Sequence, residues 1–221
     1  MPRRRLLDST ELFNAMPVEV LDGLRDQAVV QRVAKGQAVF SEGDAADRLF
    51  VVTEGRIAIA SRASDGRETL VAVMEAGGLF GELGLFDDEP RSADARALTD
   101  AEVLAVDYAA VRAAFEARPD LLWLVVRLLA QRLRATDEAL ADAVFLDVPA
   151  RTAKRLLELA GDRDEFQLPM TQEDLAGLVG ASRERVNKAI AMFTRLGWVE
   201  TTGRGSYHIL DRASLTQRAE Q

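Results

Sequence analysis

The run Phe80-Gly81-Glu82-Leu83-Gly84-Leu85-Phe86-Asp87-Asp88-Glu89-Pro90-Arg91-Ser92-Ala93 holds the densest chemistry in the chain. Its glycines permit close backbone approach, and a short helical turn starting near Glu82 would point free N–H groups at an anion. Arg91, the only cation in the run, and Ser92 add a guanidinium and a hydroxyl for the same phosphate. Glu82 calls for another partner, either a ribose hydroxyl whose proton a carboxylate accepts well, or Arg91 itself. Residue types alone leave a structural turn with an Arg–Glu pair equally open.

A second constellation lies between Thr171 and Lys188. Thr171 reads as a helix cap with Glu173 and Asp174 in the first turn. Ala176 is small where a second helix must cross closely, Gly180 allows a left-handed turn, and Ser182 caps the next helix. Val186 and Ile190 then point inward, leaving Arg183, Glu184, Arg185, Asn187 and Lys188 on the outer face. Arg and Lys donate to guanine acceptors and Glu accepts from cytosine, so this face suits the edges of base pairs in a major groove. Two short strands, Trp198 to Thr202 and Ser206 to Leu210, follow around Gly203-Arg204-Gly205, which completes a winged helix-turn-helix. Arg204 at the wing tip is placed for phosphate rather than base. The bland alternative is a helical hairpin with solvated charges. His208, the single histidine, reads as a wing-strand residue and not a ligand.

Composition removes several other functions. The 221 residues contain no cysteine and one histidine, which excludes disulfides, thiolate zinc sites and cysteine-ligated iron–sulfur clusters. No Cys/His pair is available for catalysis and few residues follow Leu210, so an enzyme is not expected. The most apolar run, Leu121 to Ala130, is interrupted by Arg127 and is too short for a membrane helix. The basic N-terminus has no apolar segment after it, so the expected location is cytoplasmic. The net charge of -8 argues against a nucleic-acid partner until it is divided along the chain. Residues 148–221 carry 11 basic and 10 acidic side chains, so the acidic excess lies entirely in residues 1–147.

The elements that must position these groups follow from periodicity. Residues 9–30 form a helical lead-in with Leu12, Phe13, Met16, Val20, Leu21 and Leu24 at helical spacing. From residue 32 short apolar runs (38–40, 49–52, 56–60, 69–74 and 101–106) alternate with glycine turns, Asp65-Gly66 being the clearest hairpin, and imply a small antiparallel roll or sandwich. Asp107 to Phe145 is helical, with Pro119 at the start of a long segment. Leu122, Val126, Leu129, Leu133, Thr136, Leu140 and Ala143 alternate by fours and threes, a heptad seam for a parallel or near-parallel dimer, the alternative being a helix packed on its own domain. Leu146-Asp147-Val148-Pro149 breaks that helix as a hinge, and residues 150–160 form another helix.

Three of these stretches resemble the cyclic AMP receptor protein (CRP/FNR) family of bacterial regulators, and the resemblance covers nearly the whole chain. Phe80 to Ala93 is similar to its phosphate-binding cassette, Phe145-Leu146-Asp147-Val148-Pro149-Ala150-Arg151 to its hinge, and Val179-Gly180-Ala181-Ser182-Arg183-Glu184 to the entry of its recognition helix. The latter two, with Asn187-Lys188-Ala189 and Gly197-Trp198, most resemble the actinobacterial branch. The resemblance implies an α+β chain: a cyclic-nucleotide-binding, jelly-roll-like β-roll over 1–118, a dimerisation helix over 119–146 and a DNA-binding winged helix-turn-helix over 147–221. It implies cyclic AMP as effector and no other cofactor. Gly81 and Glu82, beside Leu83, would meet the ribose, Arg91 and Ser92 the cyclic phosphate, and Thr136 the adenine, with Asp137 contacting it from the partner subunit. The implied partners are a second copy, RNA polymerase and double-stranded DNA with TGTGA-like inverted half-sites. Thr171, Ser182, Arg183, Glu184, Arg185, Lys188 and Arg204 would form the DNA-facing set. The chain departs from the family at 137, where Ser or Asn is usual, at 185, where Thr is usual, and at 188, where some members have Arg. A regulator of the same architecture answering another ligand, or none, is the alternative.

Overall fold

In the computed structural model the described residues are 10–14, 16–62, 68–168, 170–203 and 205–221. They divide into two compact units, Met1–Leu133 and Arg134–Gln221.

The first unit begins with two short helices, α1 (Glu11–Asn14) and α2 (Val18–Gln27). The single lead-in expected from spacing is thus split, because Pro17 takes the N-cap of α2 and cannot continue a preceding helix. Phe13, Met16, Leu21 and Leu24 are buried as their spacing implies, while the side chain of Leu12 lies outside the described residues. Strands β1 (Val29–Val33), β2 (Ala38–Phe40), β3 (Arg48–Glu54), β4 (Ile57–Arg62), β5 (Glu68–Met74), β6 (Leu79–Phe80), β7 (Asp94–Ala97) and β8 (Ala101–Asp107) form two antiparallel sheets. Their orders are β1-β8-β3-β6 and β2-β7-β4-β5. β6 and β7 were not segmented from sequence, and β1 takes residues 29 and 30, which the spacing assigns to the helical lead-in: α2 ends at Gln27, and the β-branched Val29 and Val30 pair with β8. Asp65-Gly66 lies outside the described residues.

β3 shows why a run of four apolar residues forms a strand here. Successive side chains point to opposite faces, and both faces are covered. Leu49 and Val51 join a core with α2 and with α4 (Tyr108–Ala117), whereas Phe50 and Val52 join Val33, Ile57, Phe80, Ala95 and Val103 in a second core. The segment between β6 and β7 leaves one sheet and enters the other, carrying the short helix α3 (Gly84–Asp87). A 3-10 turn (Pro119–Leu121) leads into the long helix α5 (Leu122–Phe145), whose Val125 seats in the first core.

Of the expected seam on α5, Leu122, Val126, Leu133 and Leu140 are exposed, but Leu129 packs partly against the unit's own core. Trp123, Val144 and Phe145, outside that seam, are also exposed, at 75%, 66% and 80%.

In the second unit α5 ends at Phe145 and α6 (Val148–Ala160) begins almost at once. The break is Leu146-Asp147 alone, narrower than the four-residue hinge read from sequence. Pro149 sits in the first turn of α6, where its missing N–H is not needed, and Asp147 caps the helix by accepting from the Ala150 N–H at 2.8 Å. β9 (Glu165–Gln167), α7 (Gln172–Val179), α8 (Arg183–Arg195), β10 (Val199–Gly203), β11 (Ser206–Ile209) and α9 (Arg212–Ala219) complete it, with sheet order β10-β11-β9. The third strand and α9 were not anticipated. β9 is only three residues long, and α9 buries just Leu215 and Ala219, so neither leaves a strong periodic signal. His208 stands opposite Glu200 on β10 and Glu165 on β9, as a strand residue.

Candidate nucleotide and DNA sites

The cassette is positioned by both sheets. β6 pairs with β3 through Phe50↔Phe80, and β7 pairs with β2 through Phe40↔Ala95, so the loop between them starts and ends on rings of the inter-sheet core. Backbone bonds from Gly43 N–H to Arg91 O (2.8 Å) and from Arg91 N–H to Asp44 O (2.9 Å) fix its far side. Gly81 has φ +70, which favours glycine, and a Cβ there would lie 2.8 Å from Arg91 Nη1, so a larger residue would also displace that guanidinium.

Arg91 and Glu82 are buried, at 6% and 2% exposure, but they do not pair with each other. Arg91 Nη1 donates to Gly81 O (2.7 Å) and to Tyr108 Oη (3.2 Å), and the Tyr108 hydroxyl itself donates to Gly81 O. Burial pushes the Tyr108 phenol above its ordinary value, against the opposing effect of Arg91, so it stays protonated. Glu82 instead receives Arg132 from α5, whose second terminal nitrogen reaches Leu79 O. The Arg–Glu pair entertained from residue types is therefore replaced by Glu82–Arg132. Loop spacing brings Glu82 and Arg91 close but could not show that a guanidinium 50 positions away takes the carboxylate.

Among the described residues no carboxylate pairs with Arg91, and its buried Nε has no hydrogen-bond partner. A buried cation without a counter-charge is costly, and an anionic ligand offsets that cost. The donor set thus fits a phosphate. Ser92 is exposed beside Arg91, and Leu83, exposed, precedes the first turn of α3. Thr136 and Asp137 lie on α5 in the second unit, both exposed.

The helix-turn-helix is built as its sequence signals require. Thr171 and Asp174 form a reciprocal capping box, with Asp174 N–H to Thr171 Oγ1 at 3.2 Å and Thr171 N–H to Asp174 Oδ2 at 3.0 Å. Gly180 closes α7 at φ +68, and Ser182 caps α8. Val186 and Ile190 are buried with Leu175, Ala176 and Phe193, which turns Arg183, Glu184, Arg185 and Lys188 outward, all exposed. Glu184 is held by Lys188 at 2.6 Å, one helical turn on. That hydrogen bond keeps the Glu184 carboxyl below its usual range, so it is an acceptor at neutral pH. Arg204 lies outside the described residues.

Several residues were not singled out for these roles from sequence: Arg132, Tyr108 and Phe40 around the cassette, and Arg218 at the junction of α5 and α6. Arg151, quoted only within the hinge motif, donates to Val179 O (2.9 Å), Leu146 O (2.8 Å) and Ala143 O (3.3 Å). Arg218 from α9 grips both oxygens of Asp147 at 2.6 Å. Burial alone would raise the Asp147 carboxyl, but the Ala150 N–H and Arg218 hold it below its ordinary value. Among the described residues no helix is long and apolar enough to cross a membrane, and no cluster of potential metal ligands occurs.

A sandwich carrying a phosphate-ready cassette, with a winged helix-turn-helix in the same chain, defines a nucleotide-binding transcription regulator. Residues 30–118 match the model of the cyclic nucleotide-binding domain, and residues 150–218 that of the Crp-like helix-turn-helix domain. A CRP-like cAMP-activated global transcriptional regulator of Mycobacterium tuberculosis is 39% identical over 97% of this chain and 98% of its own length. The cAMP-activated global transcriptional regulator Vfr of Pseudomonas aeruginosa is 31% identical over 83% of this chain and 91% of its own. The structure of FixK2 from Bradyrhizobium japonicum shares the fold with a TM-score of 0.78 at 21% identity, over 86% of this chain and 96% of that one. The chain belongs to the CRP family of DNA-binding transcription regulators, which is not a family of enzymes.

Proposed function

We propose that the protein is a cyclic AMP-responsive regulator, acting in the cytoplasm as a homodimer on an inverted-repeat operator and through contact with RNA polymerase. In this reading residues 1–118 bind the nucleotide, 119–146 dimerise and 147–221 bind DNA. The observation that carries the effector is the buried, uncompensated guanidinium of Arg91 beside Gly81. Gly81, Glu82 and Leu83 face the ribose, Arg91 and Ser92 the cyclic phosphate, and Thr136 and Asp137 the base. Thr171, Ser182 and Arg204 contact phosphates, while Arg183, Glu184, Arg185 and Lys188 face the groove, on half-sites like TGTGA. Two relatives bear names that call them cAMP-activated, which supports the choice of nucleotide. Isothermal titration with cyclic AMP and cyclic GMP is the direct test, and binding of neither refutes the effector.

The alternative, weaker binding or another ligand, rests on the residue type at Asp137, whose negative charge would be added to a site for an anion; between cyclic AMP and cyclic GMP the same carboxylate favours adenine. A carboxylate accepts from the adenine amino group but repels guanine O6. The wild type is therefore expected to prefer cyclic AMP, and Asp137→Asn, whose amide donates or accepts, should narrow the preference. Equal wild-type affinities would remove Asp137 from the base.

The dimer is supported by the exposure of Leu122, Val126, Leu133 and Leu140 at 42%, 52%, 62% and 64%. Burying a leucine is worth about 1.5–3 kcal/mol, and two-fold symmetry counts each position twice. Leu133→Asp should therefore raise the dimer dissociation constant by about a hundredfold or more. Sedimentation that still shows only dimer at low micromolar protein would place the interface elsewhere.

A further inference from the structure

The guanidinium of Arg91 lies over a ring that belongs to neither the cassette nor α5. Its Cζ lies 4.2 Å from the centroid of the Phe40 ring, with Phe50 at 5.5 Å and Tyr108 at 5.9 Å. Nη1 is committed to Gly81 O and Tyr108 Oη. Among the described residues nothing accepts from Nε. Nε and Nη2 together make the edge of a guanidinium that forms paired bonds to a phosphate. Phe40 also packs against Phe50 and Phe80, at 5.7 and 6.0 Å between ring centroids, so its contact with Arg91 comes in addition to a place at the margin of the second core. Phe40 is only partly buried, stands at the end of β2 opposite Ala95, and its Cε1 would lie 3.1 Å from a Cβ on Gly81.

We infer that Phe40 is a positioning residue for the nucleotide site: its ring face fixes the plane of Arg91 so that the Nε–Nη2 edge stays turned toward the cyclic phosphodiester. A face-on contact between ring and cation strengthens as water is excluded, and here it acts on a buried cation. An arginine already ordered in the free protein loses less freedom when ligand arrives, so the ring raises affinity without touching the ligand. The inference rests on the cyclic nucleotide reading above.

The test is a double-mutant cycle by isothermal titration of the full chain with cyclic AMP, using Phe40→Leu, Arg91→Leu and the double variant, with Phe40→Tyr as the variant that keeps the ring. Phe40→Leu should weaken binding roughly three- to thirtyfold. Phe40→Tyr should stay within about twofold of wild type, because the ring face is retained. In the Arg91→Leu background Phe40→Leu should have no further effect. An equal loss in both backgrounds would show that the ring acts by packing alone, and no loss in either would remove it from the site; both overturn the inference and leave the nucleotide reading standing. If Phe40→Leu does not fold, Phe40→Met runs the same cycle. A wild type that binds no cyclic nucleotide overturns the nucleotide reading itself, and with it the role of Phe40.

Discussion

Arg183→Ala is expected to cost about 1–3 kcal/mol of operator affinity per half-site, and to do so on the matched sequence rather than on DNA in general. Arg183 stands in the first turn of α8, exposed, directly after the Ser182 cap. Among the described residues none pairs with it, whereas its neighbour Glu184 is already engaged by Lys188. A free planar fork at the start of a recognition helix is suited to paired bonds with guanine O6 and N7. In a two-fold dimer the loss is counted at both half-sites, so a palindrome loses roughly 2–6 kcal/mol. Arg204→Ala, in the stretch of sequence between β10 and β11, should instead weaken all sequences alike and reduce the salt slope by about one for each phosphate no longer neutralised. Gel shifts on matched and scrambled operators at several salt concentrations separate the two. If Arg183→Ala weakened scrambled DNA as much as the palindrome, the helix would be a phosphate clamp and not a reader of bases.

Arg91→Leu should lower cyclic AMP affinity at least tenfold, since losing a charge-assisted hydrogen bond costs about 1.5–3 kcal/mol. Stability should respond in the opposite sense. Arg91 is buried without a carboxylate partner, so in the free protein its charge opposes folding, and leucine in its place removes that penalty. The ligand-free melting temperature should hold or rise while the stabilisation by added cyclic AMP shrinks, by about 1.4 kcal/mol for each tenfold loss of affinity. A structural arginine would behave differently, lowering the melting temperature with or without nucleotide. Thermal unfolding scans with and without millimolar cyclic AMP distinguish these outcomes, and a fall in the ligand-free value would overturn the view of Arg91 as a cation awaiting an anion.

Short-range chemistry made much of this readable. The capping box at Thr171, the left-handed Gly180, the Ser182 cap and the buried Val186 and Ile190 are all set within a few residues of one another, where spacing is a reliable guide to geometry. Gly81 and Arg91 were recognisable for the same reason. Where the reading was too coarse, the missing constraint was local but outweighed by periodicity: Pro17 divides the lead-in helix, and Pro149 begins α6 instead of ending the hinge.

The sequence by itself determined the division into a strand-rich first part, a long helix and a helix-turn-helix, the tight turn at Gly81 and the outward face of α8. Each of these depends on contacts between near neighbours or on a fixed periodicity. Only the tertiary structure decided which partner each charge takes. Glu82 and Arg91 are close in sequence yet bond to different groups, because α5 delivers Arg132 to one and α4 delivers Tyr108 to the other. Phe40 likewise meets Arg91 only because β2 pairs with β7. A one-dimensional pattern records which side chains carry charge or a π face, but the cost of burying them is set by neighbours that sheet pairing and helix packing bring from far along the chain.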